Sequence, residues 1–502
     1  MDHKHAVEVL AAIERAADVN ALRAGGLRLW PLVRMDFWEQ LLGPSDTPAR
    51  PAPRSIVWPG EGALMAWRRW REIRRLPRAE ALFFSRREDH TDRFPAGHYN
   101  RHTDPMIEFC RSRMSCLKIE AQSSAAASTL PRACSTQFVP LPQAGTRTTP
   151  ARIEGAETLR TALAEIGEPL AFDEAKLRHE AAVLLQRRDA FLAILDRVKP
   201  RVVFVVCYYD RRVLPLVAAC RQRGIPTVDI QHGKQGVYHG LYTHWTRWPS
   251  DGYELLPDFF WVWGEASRRH MASGRPAELP RHRPIVGGSR WLALWRRGAA
   301  FPLEAAETAW LAQARRAQRV ILVTLQPLEP MLPPHLREAL RRSPSDWLWL
   351  LRAHPRRRAK IPPLIAELNA DGTGSYEGER ASTVPLYALL RIADRHLTCW
   401  SSVAQEAPAF DVPTMIVHPS GQQLYAEEIA AGRFQYGATA ESVLAWIAGE
   451  KCPVPPGEPY LEIADERAEA ALATVLAGRP GVPHQAEAAA TGAVVTQEPS
   501  AS

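Results

Sequence analysis

The 502-residue sequence lacks several features that would assign it to a familiar class of protein. Its seven cysteines include no CxxC pair, which excludes a zinc ribbon and a disulfide scaffold and predicts a reducing compartment. No run of about 18 apolar residues is present, so a membrane-spanning helix is not expected. The N-terminal stretch contains acidic residues and no small-residue cleavage site, so we expect no signal peptide. Together these absences predict a cytoplasmic protein.

Common nucleotide-binding and hydrolase fingerprints are missing as well. The chain has no GxxxxGK[ST], GxGxxG or GxSxG motif, which argues against a P-loop protein, a dehydrogenase or an α/β-hydrolase. Lysine is scarce, with seven of the 63 basic residues, and the net charge is +8. A basic balance favours anionic partners, but genome composition explains the arginine bias equally well. Without zinc-finger spacing, an RNP motif or a basic zipper, nucleic acid is not an expected partner.

Buried β-branched runs alternate with helical segments in two parts of the chain. The runs at 201–209 and 225–233 flank one helical segment and predict a βαβ unit with parallel strands. The same alternation returns with strands at 319–327, 346–355, 396–402 and 412–419. The sequence therefore predicts an α/β fold with two Rossmann-like domains that carry parallel sheets. We assign 1–255 to the first domain with a helical N-terminal extension, 256–477 to the second, and 478–502 to a disordered tail.

Three features at the domain borders complete this outline. Between the two halves, the stretches 259–273 and 283–291 are interpreted as a connector. Residues 121–152 are expected to form a long loop. The segment 461–478 is expected to be a helix that crosses back onto the first domain.

Ligands of open parallel sheets bind beyond the carboxyl ends of the strands, and this rule selects candidates in the second half. Gln326 follows one strand, and Arg352 and His354 lie at the end of the next. Ser401 and Ser402 open a helix, where hydroxyl groups and backbone N–H groups favour phosphate. Glu406 lies one turn further on and could hold a sugar hydroxyl. A plain helix cap explains the serine pair equally well.

The same rule selects candidates in the first half. Tyr208 and Asp210 follow one buried strand, and Gln231, His232 and Lys234 follow the next. The segment 231–245 is dense in His, Tyr and Gly and suits a sugar-facing loop. A glycine-rich turn with incidental histidines is the alternative. Asp104 closes a polar loop that follows the strand at 81–85.

The segment Leu64–Arg78 has the pattern of an interfacial helix. Leu64, Trp67, Trp70 and Ile73 are three residues apart and share one face, while arginines fill the rest. The pattern predicts peripheral contact with the inner face of the inner membrane. A surface helix with a solvated basic face is the alternative.

Taken as a set, these motifs resemble the GT-B glycosyltransferases of bacterial surface-polysaccharide assembly. More narrowly, the sequence is similar to capsule and lipopolysaccharide transferases that use CMP-activated acidic sugars. The resemblance covers roughly 200–450. Its matching pieces are QHG at 231–233, WVWG at 261–264, VGGSR at 286–290, QP at 326–327, HP at 354–355, and LYALLRIADRHLTCWSSVAQEA at 386–407.

The resemblance implies two domains facing across a cleft and a nucleotide site lined by Gln326, His354, Ser401 and Ser402, with Glu406 a weaker addition. It implies transfer of a sugar, favoured as a CMP-sugar, to a lipid-linked glycan, with no metal or other cofactor. Arg352 is expected to assist at the nucleotide. The acidic pair followed by glycine that carries the base in related sialyltransferases has no match, so Asp210 is our first candidate base. Asp104 and His232 follow, and His354 is expected to act on the leaving phosphate.

On the acceptor side we expect Asp104, Tyr208, Gln231 and Lys234. Three rival functions remain open. One is a CDP-polyol phosphotransferase of teichoic-acid type, one is a sugar-nucleotide epimerase, and one is a catalytically inactive GT-B scaffold that binds polysaccharide.

Overall fold

The computed structural model describes residues 3–43, 69–94, 97–122, 131–142, 149–297, 303–371, 374–450 and 460–478. The tail expected to be disordered lies outside these residues except for Gly478, as do residues 64–68 of the expected interfacial helix. Within the described residues, every helix is too short or too polar to span a bilayer.

The first half is built on a seven-stranded sheet in which every strand pairing is parallel. The strands are β3 (Ala81–Ser85), β6 (Cys116–Gln122), β7 (Gln137–Pro140), β8 (Val202–Val206), β9 (Thr227–Ile230), β10 (Phe259–Val262) and β11 (Arg283–Val286). Their order across the sheet is β11-β10-β9-β8-β3-β6-β7. In chain order this is 3-2-1-4-5-6-7, which extends the Rossmann order by one strand.

The second half is built on a six-stranded sheet, also parallel throughout. The strands are β12 (Arg319–Thr324), β13 (Trp347–Arg352), β14 (Ser375–Glu377), β15 (Arg395–Thr398), β16 (Thr414–Ile416) and β17 (Phe434–Tyr436). Their order across the sheet, β14-β13-β12-β15-β16-β17, is the Rossmann order 3-2-1-4-5-6. The expected α/β fold with two Rossmann-like, parallel-sheet domains is confirmed.

Two small antiparallel hairpins lie outside the large sheets. Strands β1 (Arg23–Ala24) and β2 (Leu27–Arg28) join the N-terminal helices, and β4 (Asp92–Phe94) pairs with β5 (Gly97–Tyr99). The second hairpin belongs to the loop after β3, and its Tyr99 packs in the apolar cluster of the second half. The loop after β3 therefore reaches across from one half to the other.

Helices cover the sheets and form the N-terminal extension. In the first half they are α1 (His3–Ala16), α2 (Trp30–Leu42), α3 (described over 69–75), α4 (Thr103–Arg111), α5 (Ala156–Ile166), α6 (Glu174–Val198), α7 (Leu214–Arg223) and α8 (Glu265–Ala272). They continue as α9 (Arg290–Arg296), α10 (Ala305–Ala314), α11 (Pro334–Arg342), α12 (Ile361–Asp371), α13 (Glu379–Thr383) and α14 (Leu386–Leu390). The last are α15 (Val403–Glu406), α16 (Pro419–Leu424), α17 (Ala426–Ala430), α18 (Ala440–Ala448) and α19 (Asp465–Ala477).

Local sequence explains where the central βαβ unit begins and ends. Val202–Val206 is buried along its whole length, as expected of a strand covered on both faces. Helix α7 starts with Pro215 in its first turn and ends at Gly224, which has a φ of +63°. Glycine adopts this left-handed conformation readily, so the chain turns sharply into β9.

Two expectations about the connections were wrong. The stretch interpreted as a connector carries β10 and β11, so the first sheet continues past residue 255. The expected long loop at 121–152 contains β7, which pairs with β6. Strands β7 and β11 lie at the edges of the sheet, and all three strands have only four residues, too few for the sequence pattern to separate a strand from a connection.

The C-terminal helix returns to the first half, as the sequence predicts. The apolar face of α19 (Ala468, Ala471, Leu472 and Val475) packs in one cluster with Phe259 and Trp261 of β10. Helix α19 therefore follows the second half in the chain but packs against the first half.

Candidate functional site

A cavity of about 340 Å³ lies between the two halves. Its first-half wall consists of residues at or beyond the carboxyl ends of β3, β9, β10 and β11, and its second-half wall comes from the loops and helices after β13, β14 and β15. The lining includes Glu88, Asp89, Arg101, His102, Gln231, His232, Trp263, Ser289, Arg290, Trp291, His354, Tyr387, Ser402 and Glu406. This is the position at which parallel sheets bind ligands.

The turn after β9 fixes Gln231 and His232 in the first-half wall. The Gln231 amide is nearly buried, donates to the Gly233 carbonyl over 2.9 Å and accepts from the Trp263 backbone N–H over 2.7 Å. Nε2 of His232 lies 3.3 Å from the Tyr209 hydroxyl, and its Nδ1 has no hydrogen-bond partner among the described residues. Burial, followed by the charge of Arg86, lowers the pKa of His232 to about 3. The ring is therefore neutral at physiological pH.

A chain of alternating charges runs along the edge of the first sheet beside the cavity. Arg86 donates to Asp89 over 2.7 and 2.9 Å and to Asp210 over 3.1 Å. Arg212 bonds the other side of Asp210 and also contacts Glu88. Burial raises the pKa of Asp89, with Arg86 opposing that effect. Glu88 and Asp89 line the cavity, whereas Asp210 does not.

Arg101 and His102 follow the hairpin of β4 and β5 and also line the cavity. Nε of Arg101 is 3.0 Å from the Asp92 carboxylate. Burial, with the nearby His232 and Arg101, lowers the pKa of His102 well below its ordinary value. Two neutral imidazoles, with ring centroids 6.2 Å apart, therefore face each other at this wall.

The second-half wall combines hydroxyl, imidazole and carboxyl groups. His354, Ser402 and Glu406 line the cavity together with Tyr387. Burial raises the pKa of Glu406, while hydrogen bonding to Tyr387 and the charge of Arg101 act in the opposite direction. Ser402 is the N-cap of α15, a helix of only four residues that continues as a 3-10 turn over Ala407–Phe410.

Three predicted donor-site residues lie behind this wall. Arg352 donates to the carbonyls of Ala381 and Val384 over 2.8 and 2.6 Å, and burial lowers its pKa to about 10. The Ser401 hydroxyl accepts from the Val403 N–H, at the start of the helix, over 3.3 Å. Gln326 is nearly buried and does not line the cavity.

Four predicted first-half residues are engaged elsewhere. Asp104 is fully buried and bonds Lys118 over 2.5 Å. Tyr208 is buried and donates to the Leu241 carbonyl. Burial alone would raise the pKa of Asp210, but Arg212 outweighs that effect and lowers it to about 2. Lys234 crosses to the second half, where its Nζ lies 3.2 Å from the centre of the Tyr425 ring.

The structure thus brings five predicted residues to one cavity: Gln231, His232, His354, Ser402 and Glu406. Sequence reasoning missed Glu88, Asp89, Arg101 and His102. The signal for them was the position of SRRED directly after the strand at 81–85, to which the carboxyl-end rule applies as well as to the later strands. It also missed Trp263 and Trp291, which lie in motifs assigned to the connector.

Two Rossmann-like parallel sheets with a ligand-sized cavity between their carboxyl edges define a GT-B-like architecture. No protein-family model matches the sequence, and a search of curated proteins found no match either. In the ranges that the structure describes, no group of three or more His, Cys, Asp or Glu side chains could hold a metal ion.

A comparison with solved structures matches this chain to three enzymes over most of its length. One is the UDP-GlcNAc 2-epimerase of Neisseria meningitidis bound to UDP-GlcNAc, at 14% identity and a TM-score of 0.46 over 79% of this chain and 99% of that one. Another is a trehalose 6-phosphate synthase from Burkholderia multivorans, at 13% identity and a TM-score of 0.40 over 80% and 94% of the two chains. A third is the wall teichoic acid polymerase TagF, at 11% identity and a TM-score of 0.42 over 83% and 89%.

Proposed function

We propose that the protein is a glycosyltransferase that moves a sugar from a nucleotide-activated donor to a lipid-linked surface-polysaccharide acceptor. The observation that carries the proposal is the meeting of Gln231 and His232 from the first half with His354, Ser402 and Glu406 from the second around one cavity. A transferase needs this arrangement, because the donor and the acceptor must be held against each other.

The second-half wall suits the donor nucleotide. The Ser402 hydroxyl and His354 can hydrogen-bond a phosphate oxygen, and Glu406 can accept a hydrogen bond from a sugar hydroxyl. Arg352 lies behind them with a pKa of about 10, so it carries a positive charge at neutral pH. That charge would stabilise the phosphate as it leaves with the electron pair of the broken bond. We propose a CMP-sugar as the donor because of the sequence resemblance.

His232 is the proposed catalytic base, in preference to Asp210. Two arginines engage the Asp210 carboxylate, and Asp210 does not line the cavity, so it is not placed to take a proton from a bound acceptor. The His232 ring is neutral, so one of its nitrogens carries the proton and the other offers a lone pair to an acceptor hydroxyl. His232 would take the proton of the acceptor hydroxyl as its oxygen bonds the anomeric carbon. The negative charge of a bound donor would raise the proton affinity of the ring.

Thermal unfolding with CMP, CDP, UDP, GDP and dTDP tests the nucleotide site. We expect CMP to raise the midpoint, because a ligand that binds only the folded state stabilises it. Ser402→Ala and His354→Ala should reduce that shift. A response to UDP or GDP instead would contradict the CMP assignment, and no response to any of the five would favour the inactive scaffold.

Release of CMP from a CMP-sugar tests the base. His232→Asn should keep the nucleotide shift and lose turnover by roughly 10²–10⁴-fold, the usual contribution of a general base. The matched control is His179→Asn on the exposed face of α6, which should leave turnover unchanged. Unchanged turnover of His232→Asn would remove this residue from the mechanism. Phosphorus in the transferred group would identify a polyol phosphotransferase instead.

We further propose that helix α3 contacts the anionic inner face of the inner membrane. Trp70 is 52% exposed, and the Arg74 guanidinium lies 4.6 Å from the centre of its ring. Arg71 and Arg75 are exposed on the same short helix, and exposed Trp beside Arg is typical of interfacial helices. Trp70→Ser should reduce flotation with phosphatidylserine vesicles but not with neutral ones. Equal flotation of the two proteins would contradict the contact.

A further inference from the structure

We infer that the N-terminal helices α1 and α2 hold the loop that carries His232 in its working position, through Glu14, Arg34 and Trp38. This inference rests on the proposed function, because it assigns these three side chains as positioning residues for the proposed base. The loop in question, residues 232–246, follows β9 and has no regular secondary structure. Its order must therefore come from contacts with other elements.

Glu14 is fully buried and joins α1, α2 and the far end of this loop. One carboxylate oxygen accepts from the Trp30 indole N–H over 2.7 Å and from Arg34. The other oxygen accepts from the backbone N–H and the hydroxyl of Thr246, the latter over 2.8 Å. Each of these hydrogen bonds links the carboxylate to α2 or to the loop.

Arg34, also fully buried, bonds the backbone of the loop directly. Its Nε donates to the Gly240 carbonyl over 2.9 Å, and its Nη2 donates to the carbonyls of Thr243 and His244 over 3.2 and 3.1 Å. The guanidinium also lies 4.4 Å from the centre of the Trp245 ring. One side chain of α2 therefore fixes three carbonyl groups in a five-residue stretch.

Trp38 extends the contact toward the proposed base. Its ring stacks on His239 at a centroid distance of 5.8 Å, and the backbone of Gly240 lies so close that a Cβ there would be 2.6 Å from the indole. His239 in turn contacts the ring of Tyr209, whose hydroxyl is 3.3 Å from Nε2 of His232. A continuous series of contacts joins α2 to the imidazole.

The buried ion pair is better explained by positioning than by stability. Two buried charges lose their hydration, and apolar side chains of similar volume often replace such a pair without loss of stability. The directional bonds of Arg34 to three loop carbonyls are what an apolar side chain could not supply. Loss of the pair should therefore disturb the loop more than the rest of the fold, because most of the hydrogen bonds that are lost lie in the loop.

The double variant Glu14→Leu/Arg34→Met tests whether the ion pair positions the loop. We expect a folded protein with a lower thermal midpoint, because buried groups of Trp30, Thr246 and the loop lose their partners. We also expect an unchanged CMP shift, a fall in kcat of at least tenfold, and an unchanged KM for the donor. Hydrogen exchange of residues 239–246 should accelerate. The matched control is Glu338→Leu/Arg342→Met, an exposed pair on α11 with a separation of 2.9 Å, which should change none of these quantities.

Unchanged kcat in a folded double variant would overturn the inference, as would faster exchange without loss of kcat. If the double variant does not fold, Trp38→Leu serves instead. It should likewise lower kcat and leave the KM for the donor unchanged. Failure of the proposed function would appear separately, as a wild-type protein that responds to no nucleotide, and the exchange measurement would still report whether the helices order the loop.

Discussion

At the residue scale, the Asp210 carboxylate illustrates how partners distant in sequence determine ionisation. It is bonded by Arg86, 124 positions earlier, and by the nearby Arg212. Its side chain is 15% exposed, so solvent screens these charges only in part. The arginines outweigh the cost of burial and bring the pKa to about 2.

The lowered pKa makes the contribution of Asp210 to stability dependent on pH. In the unfolded chain the carboxyl titrates near 4, so the contribution is complete above that pH and is lost as the pH falls through about 2. We expect Asp210→Asn to reduce the free energy of unfolding at pH 7 by about 2 kcal/mol. Denaturant unfolding of both proteins between pH 7 and pH 3 should show the difference shrinking. A constant difference would contradict this explanation.

Which site residues could be predicted from sequence depends on where their partners lie. His232, His354 and Ser402 follow strands whose burial pattern is clear, so the carboxyl-end rule places them correctly. Asp104 and Tyr208 were selected by the same rule, but their side chains point into the protein interior and do not line the cavity. Asp104 pairs with Lys118 of β6 and Tyr208 donates to the Leu241 carbonyl, and neither partner is implied by local spacing. Side-chain direction at a strand end is a tertiary property.

At the scale of elements, the turn between β11 and α9 is tightly constrained. Gly288 has a φ of +76°, and a Cβ at this position would lie 2.3 Å from the Glu462 carbonyl oxygen. Backbone atoms cannot move aside as a flexible side chain can. The turn therefore requires glycine both for its conformation and for the close approach of a second chain segment.

Gly288→Ala should consequently destabilise the fold more than Gly224→Ala, because both glycines have a positive φ but only Gly288 has another chain segment close by. Gly224 has a φ of +63°, and a Cβ there would meet no other atom within 4 Å, so Gly224→Ala measures the conformational cost alone, about 1 kcal/mol. We expect about 3 kcal/mol or more for Gly288→Ala, because the collision adds to that cost. Denaturant unfolding of the two variants gives both losses in the free energy of unfolding. Equal losses would mean that the segment around Glu462 can move away from the new methyl group.

Strands were predictable from the sequence where they form long runs of apolar residues. The strands Val202–Val206 and Arg319–Thr324 are nearly continuous apolar runs, and both are central strands. The hairpin of β4 and β5 went unrecognised because its strands have three residues each, in a segment rich in Arg, His and Asp. Its order comes from contacts such as the stacking of Phe94 on Tyr99, at a centroid distance of 4.3 Å, and of Tyr99 against Trp291.

At the scale of the whole molecule, direct contacts bridge the halves beside the cavity. Nζ of Lys234 lies over the Tyr425 ring and donates to the Leu424 carbonyl. Tyr425 in turn donates to the Ser401 carbonyl over 2.7 Å. His270 and Glu427 form a second bridge of 3.1 Å. These contacts stabilise the arrangement in which the two walls of the cavity face each other.

Lys234→Met should favour a more open arrangement, because methionine keeps the length of the side chain but loses the attraction to the ring. Burial lowers the pKa of Lys234 to about 7, so the side chain is charged below that pH and largely neutral above it. A buried cation–π contact contributes about 2 kcal/mol, so below pH 7 we expect apparent nucleotide affinity to fall by roughly tenfold. Small-angle scattering should show a larger radius of gyration, whereas Lys176→Met, at an exposed position of α6, should leave the radius unchanged. An unchanged radius and affinity in Lys234→Met would exclude a role in closure.

The chain crosses between the halves twice, and the two crossings lie side by side. The Ser289 N–H donates to the Glu462 carbonyl over 2.8 Å, and the Glu462 N–H donates to the Trp263 carbonyl over 2.7 Å. We expect the two adjacent crossings to act as the pivots of a hinge, which allows rotation of the halves about the line joining them and resists twisting and sliding. Trp263 and Ser289 lie at these pivots and also line the cavity. We therefore expect that corner of the cavity to keep its shape if the opposite walls separate.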